Sequence, residues 1–375
     1  VQHDHAKRRL IGVGAGPIGI AAAIGATDRG FAVTVIERGE VGASLRTWGA
    51  TRFFSPLSMN VTPRMREIVG SVDDDALLTG PEYVAQILDP LAKKLDVRTN
   101  TRVVAIGRRG LTRGDYAGHP LRSERPFRIV TDNDEVLEAE VVLDASGGLI
   151  VPRSIGAGGL PARGESRIQA IRTLGELDAR RDELRGRRVL LVGDGHSAAN
   201  AIGILATLDC EVTWAFRTPN RRPCEEVAND PLPERRSVVE KANALAEAPP
   251  PWLRIERRAM IEAVAKNNGH VSITLTGGRA IDADFVAAFT GYRPDSSFIG
   301  ELAVETSPVT EGGARLYRAI SCITDCLSVP KVAPHDLESG EPGFYFIGSR
   351  SYGRARTFLL QNGFAQLETI LEAIR

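Results

Sequence analysis

The 375-residue chain is 43% hydrophobic and 25% charged, with 47 Lys plus Arg against 47 Asp plus Glu. Such a chain has room for two globular cores, and its charge balance offers no basic surplus for nucleic acid or a membrane surface. Its four cysteines, Cys210, Cys224, Cys322 and Cys326, are too scattered for a disulfide scaffold and fit a reducing cytoplasm.

The N-terminal segment Val1–His5 lacks the basic-then-apolar layout of a secretory signal. The uncharged stretch Leu10–Ala26 is interrupted by glycines and a proline and falls short of the roughly 20 residues of a membrane span. It reads instead as strand Leu10–Val13, a glycine loop Gly14-Ala15-Gly16-Pro17-Ile18-Gly19, and a small-residue helix over Ile18–Arg29. In that loop Gly14 permits the tight turn, Gly16 lets the backbone approach a pyrophosphate, and Gly19 lets the helix pack on the strand. The helix N-terminus then presents free N–H groups to phosphate. A strand over Ala32–Ile36 ends at Glu37, whose carboxylate can accept both hydroxyls of a ribose.

Val103–Ile106, Phe127–Thr131 and Val136–Leu143 read as further strands, closing on Asp144-Ala145-Ser146-Gly147. Arg153–Gly164, rich in Gly and Pro, reads as a linker. The plan then repeats. Strand Val189–Val192 leads into Gly193-Asp194-Gly195-His196-Ser197-Ala198, a helix over Ser197–Leu208 and a strand over Glu211–Phe216. Here no acid ends the strand; Arg217 stands there, with Arg221 and Arg222 beyond, and guanidinium groups at that point suit the 2′-phosphate of NADPH. His196 is expected to contact phosphate or ribose.

Thr218–Trp252, with its many prolines, reads as a long irregular excursion that contributes to or gates a substrate pocket. Met260–Ala265, Val271–Thr276 and Phe285–Phe289 read as strands, with turns at Asn267-Asn268-Gly269 and Gly277-Gly278, closing on Thr290-Gly291-Tyr292-Arg293-Pro294. An apolar strand, Phe344–Gly348, and a helix over Thr357–Ile374 finish the chain. The fold class is therefore α/β, with two Rossmann-like dinucleotide-binding domains, the second inserted into the first. The expected division is 1–152 with 292–375, and 153–291.

Gly14–Gly19 with Glu37, Gly193–Ala198, Asp144–Gly147 and Thr290–Pro294 together resemble the two-dinucleotide-binding flavoproteins, a group of flavin-containing monooxygenases, thioredoxin reductases and bacilliredoxin reductase-like proteins. The resemblance covers essentially the whole chain, including Gly195–Asn200 and the Ser351-Tyr352-Gly353-Arg354 ending. It implies FAD in the first domain and a nicotinamide dinucleotide in the second, which the arginines mark as NADPH. It puts Glu37 with Arg38 at the adenosine ribose, Gly14, Gly16, Pro17, Ile18 and Gly19 at the pyrophosphate, and Val104, Ala145, Ser146 and Gly147 along the same cofactor.

Gly348 and Ser349 would lie by the ribityl chain, with Ser349 standing where many members carry Asp. Thr357 and Phe358 would lie at the flavin ring, and Arg46 and Trp48 on the stretch that lines it. At the nicotinamide site it implies Gly193, Gly195, His196, Ser197, Ala198, Arg217 and Gly291. Arg52, Ser55 and Asn60 are the candidates for handling a small-molecule substrate and O2, as in a monooxygenase.

Phe54 replaces the flavin-side Asn of the eukaryotic monooxygenases, and the Phe-x-Gly-x-x-x-His motif is missing before the second loop. The bacilliredoxin reductase type carries a cysteine where Ile18 stands, and Cys322 and Cys326 read as core thiols. A thiol or disulfide reductase, or an electron-transfer reductase, is the alternative, and a non-catalytic flavoprotein scaffold is a third reading. The histidines form no metal array, and neither Ser55 nor Ser197 sits in a hydrolase nucleophile elbow.

Overall fold

The computed structural model describes residues 7–148, 150–267, 269–323 and 326–374. The segment Val1–His5 and Asn268 of the expected turn lie outside the described residues. Two parallel sheets organise the chain. The first runs Phe344–Phe346, Val141–Asp144, Arg9–Val13, Ala32–Ile36, Val97–Arg98 across its width, all parallel. Its middle strands are apolar runs because both faces are covered, and Leu10, Ile36, Val142 and Leu143 are buried.

Against one face lies the helix Pro17–Asp28, buried nearly all round, which itself packs on the helix Leu360–Ala373. Its small residues make this close approach possible: a β-carbon on Gly25 would come within 2.7 Å of Leu371. The second sheet runs Leu253–Glu256, Glu211–Ala215, Arg188–Val192, Phe285–Ala288, again all parallel. It has its own core around Trp214, Ile202 and Leu191.

The chain leaves the first sheet after Asp144, builds the second, and returns at Phe344, so the second unit is inserted in the first. Where it crosses, Val151–Pro152 pairs antiparallel with Tyr292–Arg293, setting the outgoing and returning segments side by side. Each unit also carries a three-stranded antiparallel sheet: Val103–Arg108, Phe127–Thr131, Val136–Ala139 in one, and Ile261–Asn267, His270–Leu275, Ala280–Ala283 in the other. The turn between the last two uses Gly277 and Gly278, both at positive φ (87° and 82°), as a tight hairpin requires.

Several expectations change. Val136–Leu143 is two strands in two sheets, divided at Glu140, whose carboxylate accepts the Arg9 backbone N–H at 2.7 Å and its guanidinium at 2.7 Å. Thr218–Trp252 is not irregular throughout: it holds a 15-residue helix, Pro233–Glu247, because Pro233 stands at a first-turn position where no N–H is needed. Arg153–Gly164 is not a free linker. Ile155 and Ala162 are buried against the second antiparallel sheet, and the backbone N–H groups of both donate to Glu165. The last helix starts at Leu360, not Thr357. No helix among the described residues is long and apolar enough to cross a membrane.

Candidate active site

The two glycine loops sit at matching places, each at the carboxyl end of an inner strand of its sheet and leading into a helix. Gly14 adopts φ 104°, donates its N–H to Ile36 O (2.8 Å), and faces Ala145 O so closely that any β-carbon would collide. A β-carbon on Gly19 would strike Gly14 O, whereas around Gly16 the space is open to 4 Å. Pro17 occupies the first helical turn, and the N-cap Gly16 supplies no side chain. Ile18 points down, buried beneath Gly348 and Gly363, so it forms the floor under the loop.

Glu37 is buried beside this loop, accepting the Ala15 N–H (2.7 Å) and the Gly39 N–H (3.0 Å). Each carboxylate oxygen keeps a further lone pair. Arg38 is exposed. Val104 falls on the bulge between Val103 and Ala105, with its side chain in solvent. Ser146 donates its backbone N–H to Asp144 (3.0 Å), while its hydroxyl is buried without a partner. Gly147 (φ 88°) and Gly148 adjoin Ser349, whose Oγ accepts the Gly148 N–H at 3.2 Å. Thr357 accepts from Asn362, and Phe358 stands edge-on to Tyr352 at 5.3 Å.

In the Arg46–Asn60 stretch most polar side chains bond within the protein. Arg46 is tied to Asp89 (3.0 Å), and Trp48 packs on Phe53 (4.9 Å). Arg52 is exposed and donates to Leu77 O (3.1 Å). Ser55 and Asn60 are both buried. Ser55 donates to Asn60 Oδ1 (3.0 Å), and Asn60 Nδ2 donates to the Ser55 and Pro56 carbonyls (3.0 Å each). Their polar atoms thus hold their own turn, and Arg52 stands apart from them.

In the second loop Gly193 (φ 125°) donates to Ala215 O (3.0 Å) and lies against Phe289 O, and the buried Trp214 indole donates to Gly193 O (2.8 Å). The space around Gly195 is open to 4 Å, and Ala198 is fully buried. His196 and Ser197 are exposed at the helix start. The His196 ring meets Phe54 edge-on at 5.3 Å, a contact between the two units. Although the residue keeps surface in solvent, packing around its ring, then the charges of Arg235 and Arg356, hold its pKa below the ordinary histidine value, which favours the neutral form. Arg217 is exposed with no hydrogen bond or ion pair among the described residues. Gly291 takes φ 84° beside Arg153.

Two features went unread in the sequence. Arg350 and Asp144 form a fully buried ion pair (2.9 Å), which fastens the segment after Gly348 to the strand end beside Gly14; Arg350 also donates to Ser296 Oγ and Glu311 O. The only sequence signal was an arginine two residues past Gly348. Second, Arg235, held by Asp230 (2.7 Å), donates to Cys326 Sγ at 3.0 Å. Cys326 is buried as expected, but Cys322 is exposed and is no core thiol.

Residues 11–314 match the family described as pyridine nucleotide-disulphide oxidoreductase. The chain belongs to that family. A curated relative, a ferredoxin–NADP reductase of Mesorhizobium japonicum, is 25% identical over 252 residues, covering 66% of this chain and 63% of that protein's length. Among solved structures, a bacillithiol disulfide reductase from Bacillus cereus superposes with TM-score 0.70 at 18% identity, over 98% of both chains. An ornithine N-hydroxylase from Kutzneria sp. 744 superposes with TM-score 0.64 at 17% identity, over 98% of this chain and 99% of that one. These structural likenesses show the shared two-domain fold.

Membership of that family, with the likeness to a ferredoxin–NADP reductase, implies FAD and NADPH as cofactors. The chain's residues fit both: open space over Gly16 and the unpartnered Ser146 hydroxyl next to Gly14 in one half, and the open Gly195 with Arg217, unpaired among the described residues, in the other.

Proposed function

We propose that this protein is an NADPH-dependent flavin monooxygenase that oxygenates a small molecule with O2. The half carrying Gly14–Gly19, Glu37 and Gly348 binds FAD, and the half carrying Gly193–Ala198 and Arg217 binds NADPH. Bound FAD would take two electrons from NADPH and pass them to oxygen. The chain's own part is to hold and shield. Glu37 orients the Ala15 and Gly39 amides and has lone pairs left for a ribose. The free amides at the start of the helix Leu360–Ala373, whose N-cap Leu359 offers no side-chain partner, favour negative charge at that end. Neutral His196 and Phe54 narrow the passage between the halves without adding a charge.

The observation that carries this reading is Ile18. The bacilliredoxin reductase type carries a cysteine there, and here the aliphatic Ile18 packs against Gly348 and Gly363. The test is consumption of isotopically labelled O2 by the FAD-loaded protein with NADPH and candidate amines or sulfides. Label in the product supports oxygenation; NADPH oxidation that proceeds equally without O2 and needs a disulfide rejects it.

The second reading, a thiol or disulfide reductase, is favoured by the buried Cys326, whose sulfur accepts a hydrogen bond from Arg235 at 3.0 Å. Disulfide-dependent turnover abolished in Cys326→Ser would establish it. An electron-transfer reductase would instead pass electrons to a protein acceptor with no loss in that variant.

A further inference from the structure

Arg153 sits where the chain crosses between its halves, and its backbone is fixed from three sides. Its N–H donates to Gly291 O (2.9 Å), and its carbonyl accepts from Arg172 (2.7 Å) and Thr290 (2.6 Å). Its half-buried guanidinium has no hydrogen bond or ion pair among the described residues. The Arg153 Cδ lies by Gly291, and the neighbouring strand carries Arg293, which shares Glu311 with Arg354; the charges of Arg354, Arg217 and Arg356 act on the guanidinium, against Glu311 alone. Burial, then these like charges, hold its pKa below the ordinary arginine value.

The four arginines come from three places. Arg217 follows a strand of the second sheet, Arg153 stands at the crossing, and Arg354 and Arg356 precede the last helix. Arg354 is anchored by its N–H to Thr310 O (2.7 Å) and by Glu311 (2.9 Å), a carboxylate shared with Arg293 (3.9 Å). Arg356 reaches across the halves to Glu225 at 3.6 Å. Four cations therefore share two carboxylates, one of them divided further. Crowding like charges around a half-buried guanidinium is unfavourable unless an anion joins them.

We propose that Arg153, Arg217, Arg354 and Arg356 form a phosphate clamp spanning both halves, which closes on the phosphate groups of the nicotinamide dinucleotide. This rests on the NADPH assignment of Arg217 and goes beyond it, since three of the four arginines lie outside the second sheet and its loop.

The test is calorimetric titration of the FAD-loaded protein with NADP+, NAD+ and adenosine 2′-phosphate at two salt concentrations. Arg153→Met and Arg356→Met are each expected to weaken NADP+ about tenfold and to flatten its salt dependence, with the flavin spectrum unchanged. Arg153→Lys recovers part of the loss. A loss shared by NAD+ assigns the clamp to the pyrophosphate; one confined to NADP+ and adenosine 2′-phosphate assigns it to the 2′-phosphate. Unchanged NADP+ affinity and salt dependence in Arg356→Met, an exposed position where folding is not at stake, and in folded Arg153→Met overturns the clamp. The NADPH assignment fails separately, if the parent protein does not prefer NADP+ over NAD+.

Discussion

Replacing Arg350 by methionine strands Asp144. In the parent both side chains are fully buried, with Arg350 Nε at 2.9 Å from Asp144 Oδ2, NH1 at 3.0 Å from Glu311 O and NH2 at 2.9 Å from Ser296 Oγ. Removing one partner of a buried ion pair costs about 3–5 kcal/mol, because the remaining charge keeps its desolvation penalty. Against a total stability of about 5–15 kcal/mol this is at least about a fifth. Asp144 also accepts the Ser146 N–H at 3.0 Å, beside Gly14, so the damage reaches the first glycine loop. Urea unfolding followed in parallel by circular dichroism and flavin release measures both effects. The double variant Asp144→Asn/Arg350→Met should recover part of the loss, since no charge is left alone. A single variant within about 1 kcal/mol of the parent that retains its flavin would refute the reasoning.

Gly16→Ala should leave apoprotein stability unchanged and weaken FAD, because the new methyl enters open space; Gly19→Ala should lower stability itself, because its methyl strikes Gly14 O. Equilibrium FAD titration beside urea unfolding separates the two. Cys322 is exposed, whereas burial pushes the thiols of Cys210 and Cys224 up to about 11 and about 12, so a thiol reagent at pH 8 should show one fast phase that Cys322→Ser removes. His196 has a lowered pKa, so the unfolded chain binds its proton more readily. Its contribution to stability is full above pH 6.5 and declines as pH falls below that value. His196→Asn should flatten that decline in urea midpoints.

The glycine loops were legible because each demand on them is local: a left-handed φ, a close approach, a helix start within a few residues. The parallel strands were legible as apolar runs. What escaped depended on partners far along the chain. Nothing near Glu140 announces that Arg9 divides the run Val136–Leu143 between two sheets. Pro233 reads as a breaker until its place in a first helical turn is seen. Ser55 and Asn60 have the polarity of site residues, yet their spacing lets each satisfy the other inside a turn. Arg350 with Asp144, and Arg235 with Cys326, are pairs that only the folded chain assembles.

The most direct measurement is an anaerobic titration of the FAD-loaded protein with NADPH, following the flavin absorbance. Bleaching complete at one equivalent, with colour restored on admitting air, is the predicted result. A protein that refuses FAD, or whose bound flavin keeps its colour under excess NADPH, contradicts the claim that this fold brings the two cofactors together.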